Sequence, residues 1–413
     1  MVVVAAVAVA GVIGLVAGCG GDSRGGDSPG SVTYYRDLLP IVTARCAGCH
    51  EPGGLAPFSL VSYDEAHSRA GILAAATRAG EMPPWLPAEG CGDFEGSRRL
   101  SEAEIAMFEA WADGGAPAGV PTAAPPTAPA ATDLGPPGAT LDPGASYQAS
   151  PAASDDYRCF LIDPGLSAAR DLIGFQVHPG TPASVHHVLL FAVAPSQLAA
   201  AQAKDAAEPG IGWTCFAGTG LGSGIDAPPT IGGWVPGSGA VSFPPGTGIN
   251  LAAGTWIVMQ VHYNLAATRE VSDRTTADLY YASAPVAKRA RVLPLANRDF
   301  VIAPGAVETV TAELPAPGAW QLWGVAPHMH LHGTQLQVTI DRAAGGSTCV
   351  IDIPRWDFHW QQFYYYRQPI EVAAGDVGRL ACTFDNASGT EPLRWGERTT
   401  DEMCLTFGYF TAP

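Results

Sequence analysis

Apolar residues recur at helical spacing through residues 33–116 of the 413-residue chain. A capping box at Ser62 opens one helix, which Gly80 should end, and a second capping box at Ser101 opens another. On the latter helix, the apolar residues that share one face are Ile105, Phe108 and Trp111. We therefore predict a small all-α domain over residues 33–116.

From residue 147 the pattern changes to short segments of alternating apolar and polar residues, divided by Gly and Pro. A period of two is typical of β-strands. The predicted strands are residues 173–178, 185–193, 256–263, 320–332, 335–340, 378–384 and 403–410. This spacing and length predict two all-β antiparallel sandwiches, residues 147–285 and residues 286–413.

Two segments have no apolar periodicity. Residues 20–32 are rich in Gly and form a predicted flexible linker, and residues 117–146 are rich in Pro, Ala, Gly and Thr. The second composition is typical of a semi-rigid spacer. It should separate the helical domain from the sandwiches.

Residues 1–19 are predicted to be a signal peptide. An apolar run rich in Val and Ala ends at Cys19, and it is barely long enough to cross a bilayer. The sequence before Cys19 resembles the lipobox of bacterial lipoproteins, which implies cleavage there and lipid attachment to the sulfur. The alternative is an uncleaved anchor helix. Either way the chain is exported, and we expect a lipid-anchored protein of the bacterial periplasm or cell surface, attached to the membrane by the lipid alone.

Charge and cysteine content limit the possible partners of the protein and the chemistry of its cysteines. The formal net charge is −17, with 22 Lys and Arg against 39 Asp and Glu, so the chain has too few cations for a nucleic-acid partner. The nine cysteines are an odd number, and removing Cys19 leaves an even set for pairing or ligation. Export makes disulfides possible, because they persist in oxidising compartments.

The helical domain contains the motif Cys46-Ala47-Gly48-Cys49-His50. Two thiols at this spacing can bond to the vinyl groups of haem, and the adjacent His50 can bind the iron, which predicts haem c. A thioredoxin-like pair or half of a zinc site is the alternative. Met82 is the predicted sixth ligand of the iron, although such a Met is often core packing. Residues 33–116 are similar to cytochrome c domains.

A second group of candidate ligands lies in the strands. On one strand His328 and His330 would share a face, ~6.7 Å apart, and could converge on one ion. The adjacent His186 and His187 would face opposite ways, unless the strand is bulged or the rings coordinate through the near nitrogen. His262 would complete a three-imidazole site, and the thioether of Met403 would join His328 and His330. Neutral nitrogen and soft sulfur ligands favour copper, especially Cu(I), over zinc, magnesium or calcium.

The motifs HH, QVHY, HMH and DEMC follow in this order within residues 146–413. They resemble the copper type II, ascorbate-dependent monooxygenases, the group that hydroxylates peptidylglycine and dopamine. The resemblance implies two jelly-roll sandwiches, each holding one of two copper ions, which face each other across a solvent cleft. It also implies an electron-supplying copper on His186, His187 and His262, and a catalytic, dioxygen-binding copper on His328, His330 and Met403.

The cysteines fit the same family. A Cys382–Cys404 disulfide would hold the turn that leads to Met403, and Cys159–Cys215 looks like a bridge of the first sandwich. Cys91 and Cys349 stay unassigned. His332 could compete as a copper ligand or face solvent. The histidines taken as structural are His67, His178 and His359.

The predicted function is copper-dependent hydroxylation of a C–H bond in a small organic substrate by dioxygen. The reaction needs two electrons beyond those of the substrate, which two one-electron coppers can store. The haem is the predicted electron donor that reduces the coppers, in place of or alongside ascorbate. A redox partner protein could supply electrons to the haem. The alternative is a non-catalytic surface copper and haem electron-transfer protein. A zinc hydrolase is disfavoured, because H-E-x-x-H is missing and Met is a poor zinc ligand.

The substrate is the least determined part of the prediction. In the peptide-acting members, an Arg two residues before the H-x-H pair, and an Asn and a Tyr just after the Met, bind the substrate carboxylate. This chain has Ala326, Leu405 and Phe407 at those positions. None can pair with a carboxylate, so an apolar or aromatic substrate is expected rather than peptidylglycine.

Overall fold

The computed structural model describes residues 31–52, 56–121, 133–150, 155–215, 218–222, 226–265, 271–396 and 398–412. The predicted signal peptide, the lipidation site Cys19, most of the first linker and residues 122–132 of the second lie outside these residues. Among the helices that the model describes, none combines the length and apolar character needed to cross a membrane.

The helical part begins with a π-helical turn at Tyr34–Leu38, which leads directly into the first α-helix. The α-helices of the described residues are α1 (Leu39–Arg45), α2 (Tyr63–His67), α3 (Ala70–Arg78), α4 (Glu102–Asp113) and α5 (Leu198–Ala207).

The capping box predicted at Ser101 is confirmed. Its hydroxyl accepts a hydrogen bond from the Glu104 backbone N–H at 3.2 Å, and the Glu104 carboxylate accepts one from the Ser101 N–H at 2.7 Å. Helix α4 then buries Phe108 and Trp111 against the π-helical turn and α1. The predicted capping box therefore starts this helix and sets the face that it buries.

The single helix predicted between Ser62 and Gly80 is wrong, because two helices occupy this segment. Helix α2 ends at His67 and α3 begins at Ala70. The Ser68 hydroxyl donates to the Glu65 carbonyl at 2.9 Å, which offers that carbonyl a partner other than the helical backbone. Gly80 follows α3 with φ +66°, as expected of a glycine that ends a helix.

The first half of the β region contains twelve strands within the described residues. They are β1 (Ala139–Leu141), β2 (Tyr147–Ala149), β3 (Asp155–Ile162), β4 (Arg170–His178), β5 (Val185–Val193), β6 (Trp213–Thr214), β7 (Thr230–Trp234), β8 (Val241–Ser242), β9 (Thr247–Leu251), β10 (Trp256–Asn264), β11 (Val271–Asp273) and β12 (Thr276–Tyr281).

The second half contains ten more strands within the described residues. They are β13 (Lys288–Asn297), β14 (Val301–Ile302), β15 (Val307–Pro315), β16 (Trp320–His328), β17 (Gly333–Asp341), β18 (Ser347–Ile353), β19 (Tyr364–Val372), β20 (Val377–Asp385), β21 (Leu393–Arg394) and β22 (Cys404–Ala412).

Each half forms a β-sandwich, as predicted. In the first, the strands β1-β12-β4-β9 form one sheet and β6-β3-β10-β5-β7 the other. In the second, β13-β22-β16-β19 form one sheet and β15-β20-β17-β18 the other. The buried apolar residues of each half lie between its two sheets.

The two sandwiches are joined through one sheet. Strand β13 pairs in parallel with β9, with Lys288 opposite Thr247, so two of the four sheets merge into a nine-stranded sheet that also includes β8. Trp323 and Tyr409 of the second sandwich are buried in the core of the first. This shared packing holds the two halves together.

The segment that follows α3 packs on the second sandwich, despite the predicted spacer. The Glu95 N–H donates to the Tyr365 carbonyl at 2.8 Å, and Phe94, which is 4% exposed, enters the core of the second sandwich. A disulfide between Cys91 and Cys349 crosses the same contact. The helical part is therefore fastened to the second sandwich covalently as well as by packing.

The predicted disulfides Cys159–Cys215 and Cys382–Cys404 are present. Cys91 and Cys349, which the sequence left unassigned, form the third bridge. The unpaired cysteines of the described residues are Cys46 and Cys49 of the CxxCH motif.

Candidate metal centre

The first histidine cluster consists of His186 and His187 on β5 and His262 on β10. The pairing of β10 with β5 places His262 opposite His187 and then Tyr263 opposite Val185, so His186 lies in a bulge. The Nδ1 atom of His187 is 3.3 Å from that of His186 and 3.4 Å from that of His262. The predicted bulge is present, the near nitrogens face one another, and one ligand nitrogen of each ring lies within 4.8 Å of the other two.

Asp155 fixes the tautomer of His262. The Nε2–H of this buried imidazole donates to Asp155 Oδ1 at 2.9 Å, which leaves the Nδ1 lone pair directed at the cluster. The Tyr157 ring stacks on His262 with centroids 4.0 Å apart. The other carboxylate oxygen of Asp155 accepts a hydrogen bond from the Thr399 hydroxyl at 3.1 Å. This carboxylate therefore links the first cluster to the loop before Met403.

The second histidine cluster consists of His328 and His330, and it forms differently from the prediction. Strand β16 ends at His328, so strand alternation does not bring the two rings together. Their Nε2 atoms nevertheless lie 3.2 Å apart. His328 Nδ1–H donates to the Gln361 side-chain oxygen, and His330 Nδ1–H donates to the Asp401 carbonyl at 3.0 Å. Both Nε2 lone pairs are thereby left for one ion.

Glu402 is the buried carboxylate that shapes the turn after β16. It accepts backbone hydrogen bonds from His330 at 2.9 Å, His332 at 2.5 Å and Met403 at 3.3 Å. Burial raises the pKa of Glu402 to about 7, although these donors favour the carboxylate. A cation nearby would favour the ionised form.

Met403 lies beside the second cluster. Strand pairing ends with His328 opposite Leu405, two residues after Met403. Met403 is 5% exposed, and Glu402 holds its backbone together with that of His330. The role of the Met403 thioether as the third copper ligand remains a prediction.

The Phe358 ring lies between the two clusters. Its centroid is 5.3 Å from that of His186, on which it stacks, and 6.0 Å from that of His330. The resemblance implied a solvent cleft at this place. In the structure the same aromatic side chain contacts both clusters, and the solvent cleft remains a prediction.

The remaining histidines described bind protein groups. His332 Nδ1 lies 3.2 Å from the Asp385 carbonyl, and His178 Nε2 lies 2.9 Å from an Asp278 carboxylate oxygen. His359 is exposed and pairs with Asp357, and the His67 ring packs on Tyr63.

The histidine clusters are neutral at physiological pH. Burial lowers the pKa of His186 and of His328 to about 3, and it lowers the pKa of His187, His262 and His330 as well. Neutral imidazoles are the form that binds a metal ion.

We expect the metal-free protein to lose stability as pH falls from about 6.5 towards about 3. Protonation of these histidines favours the unfolded chain, where their pKa is ordinary, so their contribution is present above pH 6.5 and lost below it. Thermal unfolding of chelator-treated protein across this range measures the effect. A Tm that is unchanged between pH 6.5 and 4 would contradict the prediction.

The CxxCH motif has the chemistry that a covalently bound haem requires. Cys46 and Cys49 are not paired, and His50 Nδ1–H donates to the Phe58 carbonyl at 3.0 Å, which leaves Nε2 for iron. Burial raises the pKa of Cys46 to about 12 and raises that of Cys49. A thioredoxin-like pair depends on a lowered thiol pKa, so that alternative is disfavoured. Haem binding and the Met82 ligand remain predictions.

The positions that bind a carboxylate in the peptide-acting members are packed in this chain. Ala326 is paired with Phe407 across β16 and β22, and both lie against the core of the first sandwich. Phe407 therefore contributes to packing, and the apolar or aromatic substrate remains a prediction. An apolar cavity of about 220 Å³ lies within the second sandwich, but neither histidine cluster lines it.

Sequence reasoning did not find four residues that shape the clusters: Asp155, Phe358, Gln361 and Glu402. Only Glu402 carried a signal, because it is part of the DEMC motif. The other three act through contacts between segments far apart in the chain, which no local pattern reveals.

Comparison with known proteins supports the class of protein that the motifs predicted. Residues 286–412 match the family model of the copper type II ascorbate-dependent monooxygenase, C-terminal domain. This match supports the family that the motifs predicted.

The similar proteins are monooxygenases. Peptidylglycine alpha-amidating monooxygenase of Rattus norvegicus is 25% identical over 261 residues, which are 62% of this chain and 25% of the rat protein. DBH-like monooxygenase protein 2 of Mus musculus is 24% identical over 288 residues, covering 63% of this chain and 44% of that protein. The chain thus spans less than half of either relative.

Among solved structures, the major capsid protein P2 from Bacteriophage PM2 matches 66% of this chain and 96% of its own, at 10% identity. The TM-score is 0.26, which is too low to indicate a shared fold.

Proposed function

We propose that this protein is an exported copper-dependent monooxygenase that uses dioxygen to hydroxylate a C–H bond of a small organic substrate. A c-type haem bound to Cys46, Cys49 and His50, with Met82 as its sixth ligand, is the proposed electron donor. Ascorbate or a redox partner protein would reduce the haem. Attachment by a lipid at Cys19 and a periplasmic or cell-surface location are part of the proposal.

One observation carries it: five imidazoles converge in two clusters with their free nitrogens directed inward. In the first cluster these atoms are Nδ1, and in the second they are Nε2. Three neutral nitrogens suit copper, as do two nitrogens with the Met403 thioether, which favours Cu(I). Bound copper would supply one-electron chemistry and the binding of dioxygen.

The chain itself holds three of the five imidazoles in one tautomer. Asp155 accepts the Nε2 proton of His262, Gln361 accepts the Nδ1 proton of His328, and the Asp401 carbonyl accepts the Nδ1 proton of His330. Because these protons are held, the facing nitrogens stay unprotonated. Glu402 keeps the turn of the second cluster in place, and the Phe358 ring packs against both His186 and His330.

Oxygen uptake tests this proposal. Copper-loaded protein with ascorbate should consume oxygen with a member of a panel of aromatic amines, alcohols and amidated peptides, and mass spectrometry should find one oxygen atom from labelled dioxygen in the product. Met403→Ile should retain copper in the first cluster and lose the activity. Copper and haem without substrate-dependent uptake would instead support a non-catalytic electron-transfer protein, and zinc in the purified protein would contradict both.

A further inference from the structure

We propose that electrons from the haem enter the copper sites at His328, through residues 358–362, and not at the first histidine cluster. This inference rests on the proposed function, because it concerns the route by which the proposed donor acts. It reverses the order expected from the resemblance, in which the copper of the first cluster supplies the electrons.

Residues 358–362, the connecting segment, contact both histidine clusters and the loop that contains Met82. The Gln362 side-chain N–H donates to the Pro84 carbonyl at 3.3 Å, two residues after Met82. The neighbouring Gln361 accepts the Nδ1 proton of His328. Covalent bonds and two hydrogen bonds therefore connect the backbone of Met82 to the imidazole of His328.

The orientation of Gln361 is fixed by its second contact. Its side-chain N–H donates to the Phe358 carbonyl at 3.1 Å, so its oxygen must face His328. The Phe358 ring of the same segment contacts both clusters. An electron that arrives at His328 can then reach the first cluster through this ring.

Rigid packing holds the Met82 loop on the segment. Trp85 packs edge to face on Tyr364, with centroids 5.3 Å apart, and the Arg355 guanidinium donates to the Gly80 carbonyl at 3.1 Å. The Cys91–Cys349 disulfide closes the same contact covalently. The geometry of the route therefore does not depend on the Gln362 hydrogen bond alone.

The haem motif also approaches the first sandwich, and this contact is the competing route. A Cβ placed on Gly237 would lie 3.5 Å from the Cys49 sulfur, and the Arg98 guanidinium donates to the Gly237 carbonyl at 3.5 Å. Gly237 lies three residues after Trp234, which pairs with Val188 beside His187. This route begins with a gap between non-bonded atoms, whereas covalent and hydrogen bonds connect Met82 to His328 through Gln362.

The step is a single electron transfer. One ferrous haem iron is oxidised to ferric, and one Cu(II) held by His328 and His330 is reduced to Cu(I). No proton or atom changes place. The external one-electron reductant returns the haem to the ferrous state.

Flash photoreduction tests the site of entry. Oxidised, copper-loaded protein receives less than one electron per haem from a photoexcited flavin without oxygen, and haem absorbance is followed while freeze-quench EPR identifies the copper that is reduced. The variants are His330→Ala, which empties the second site, His187→Ala, which empties the first, and Gln362→Leu. His359→Ala is the control, since that exposed residue lies in the same segment and contacts only its neighbours in the described hydrogen-bond network.

We expect haem reoxidation to survive His187→Ala and His359→Ala and to be lost in His330→Ala. For Gln362→Leu we expect slower reoxidation with an unchanged copper EPR spectrum, because the variant loses the hydrogen bond to the Pro84 carbonyl. Reoxidation that survives His330→Ala but not His187→Ala would overturn the proposal in favour of the Gly237 route. If the wild-type haem stays reduced although ascorbate supports oxygen uptake, the haem is not the donor, and the inference fails while the monooxygenase proposal stands.

Discussion

Glu402→Leu should abolish copper binding at the second histidine cluster and destabilise the fold. The substitution leaves the N–H groups of His330, His332 and Met403 without their acceptor in a buried turn. Each unsatisfied donor costs about 1–3 kcal/mol, so we expect a loss of roughly 3 kcal/mol or more. With the turn released, the Nε2 atoms of His328 and His330 no longer converge. Copper analysis with EPR, and chemical unfolding, measure the two effects.

Glu402→Gln is the matched control. It keeps the size of the side chain and one acceptor oxygen, so its loss of stability and of copper should be intermediate. The first cluster, which has no contact with Glu402 among the hydrogen bonds described, should keep its copper in both variants. If Glu402→Leu retains copper at the second cluster with an unchanged unfolding midpoint, the carboxylate does not shape that site.

The parts of the fold that depend on local sequence were predictable. The capping box at Ser101 involves residues three apart, and it starts α4 where the sequence indicated. Strands β5 and β10 follow from their alternation and length. The prediction of a single helix after Ser62 was wrong for an equally local reason, because the Ser68 hydroxyl competes for the Glu65 carbonyl. That competition depends on a side-chain rotamer, which helical periodicity does not report.

The grouping of the histidines into two clusters could be predicted from the sequence, but the geometry of the clusters could not. His328 and His330 converge because Glu402, more than 70 positions further along the chain, binds the backbone N–H of His330 with its carboxylate. Strand periodicity gave the right pair for the wrong reason, since β16 ends at His328. The contacts of Phe358 and Gln361 could not be predicted from periodicity, because an aromatic ring or an amide near a short turn has many possible partners.

The docking of the helical part could not be read from the sequence either. The composition of residues 117–146 predicts a spacer, and a spacer does not determine which surface the preceding domain contacts. The contact depends on Phe94 entering the core of the second sandwich and on a disulfide between Cys91 and Cys349, 258 residues apart. Cysteine count alone leaves such a pairing open.

Asp155→Asn should weaken copper binding at the first cluster by roughly 10- to 100-fold, as is typical when the partner of a metal-binding imidazole is lost. The carboxylate accepts the Nε2 proton of His262 and so keeps Nδ1 unprotonated. An amide can present its N–H instead, which would favour the tautomer with the proton on Nδ1, facing His187. Titration of the metal-free protein with copper, followed by EPR, measures the change.

Thr399→Val separates this effect from the second contact of Asp155. It removes the hydroxyl that donates to the other carboxylate oxygen and leaves the bond to His262 intact. Copper affinity at the first cluster should therefore stay close to that of the wild type, while the loop before Met403 loses one tie to the first sandwich. Equal losses in the two variants would mean that Asp155 acts by joining the sandwiches and not by setting the tautomer of His262.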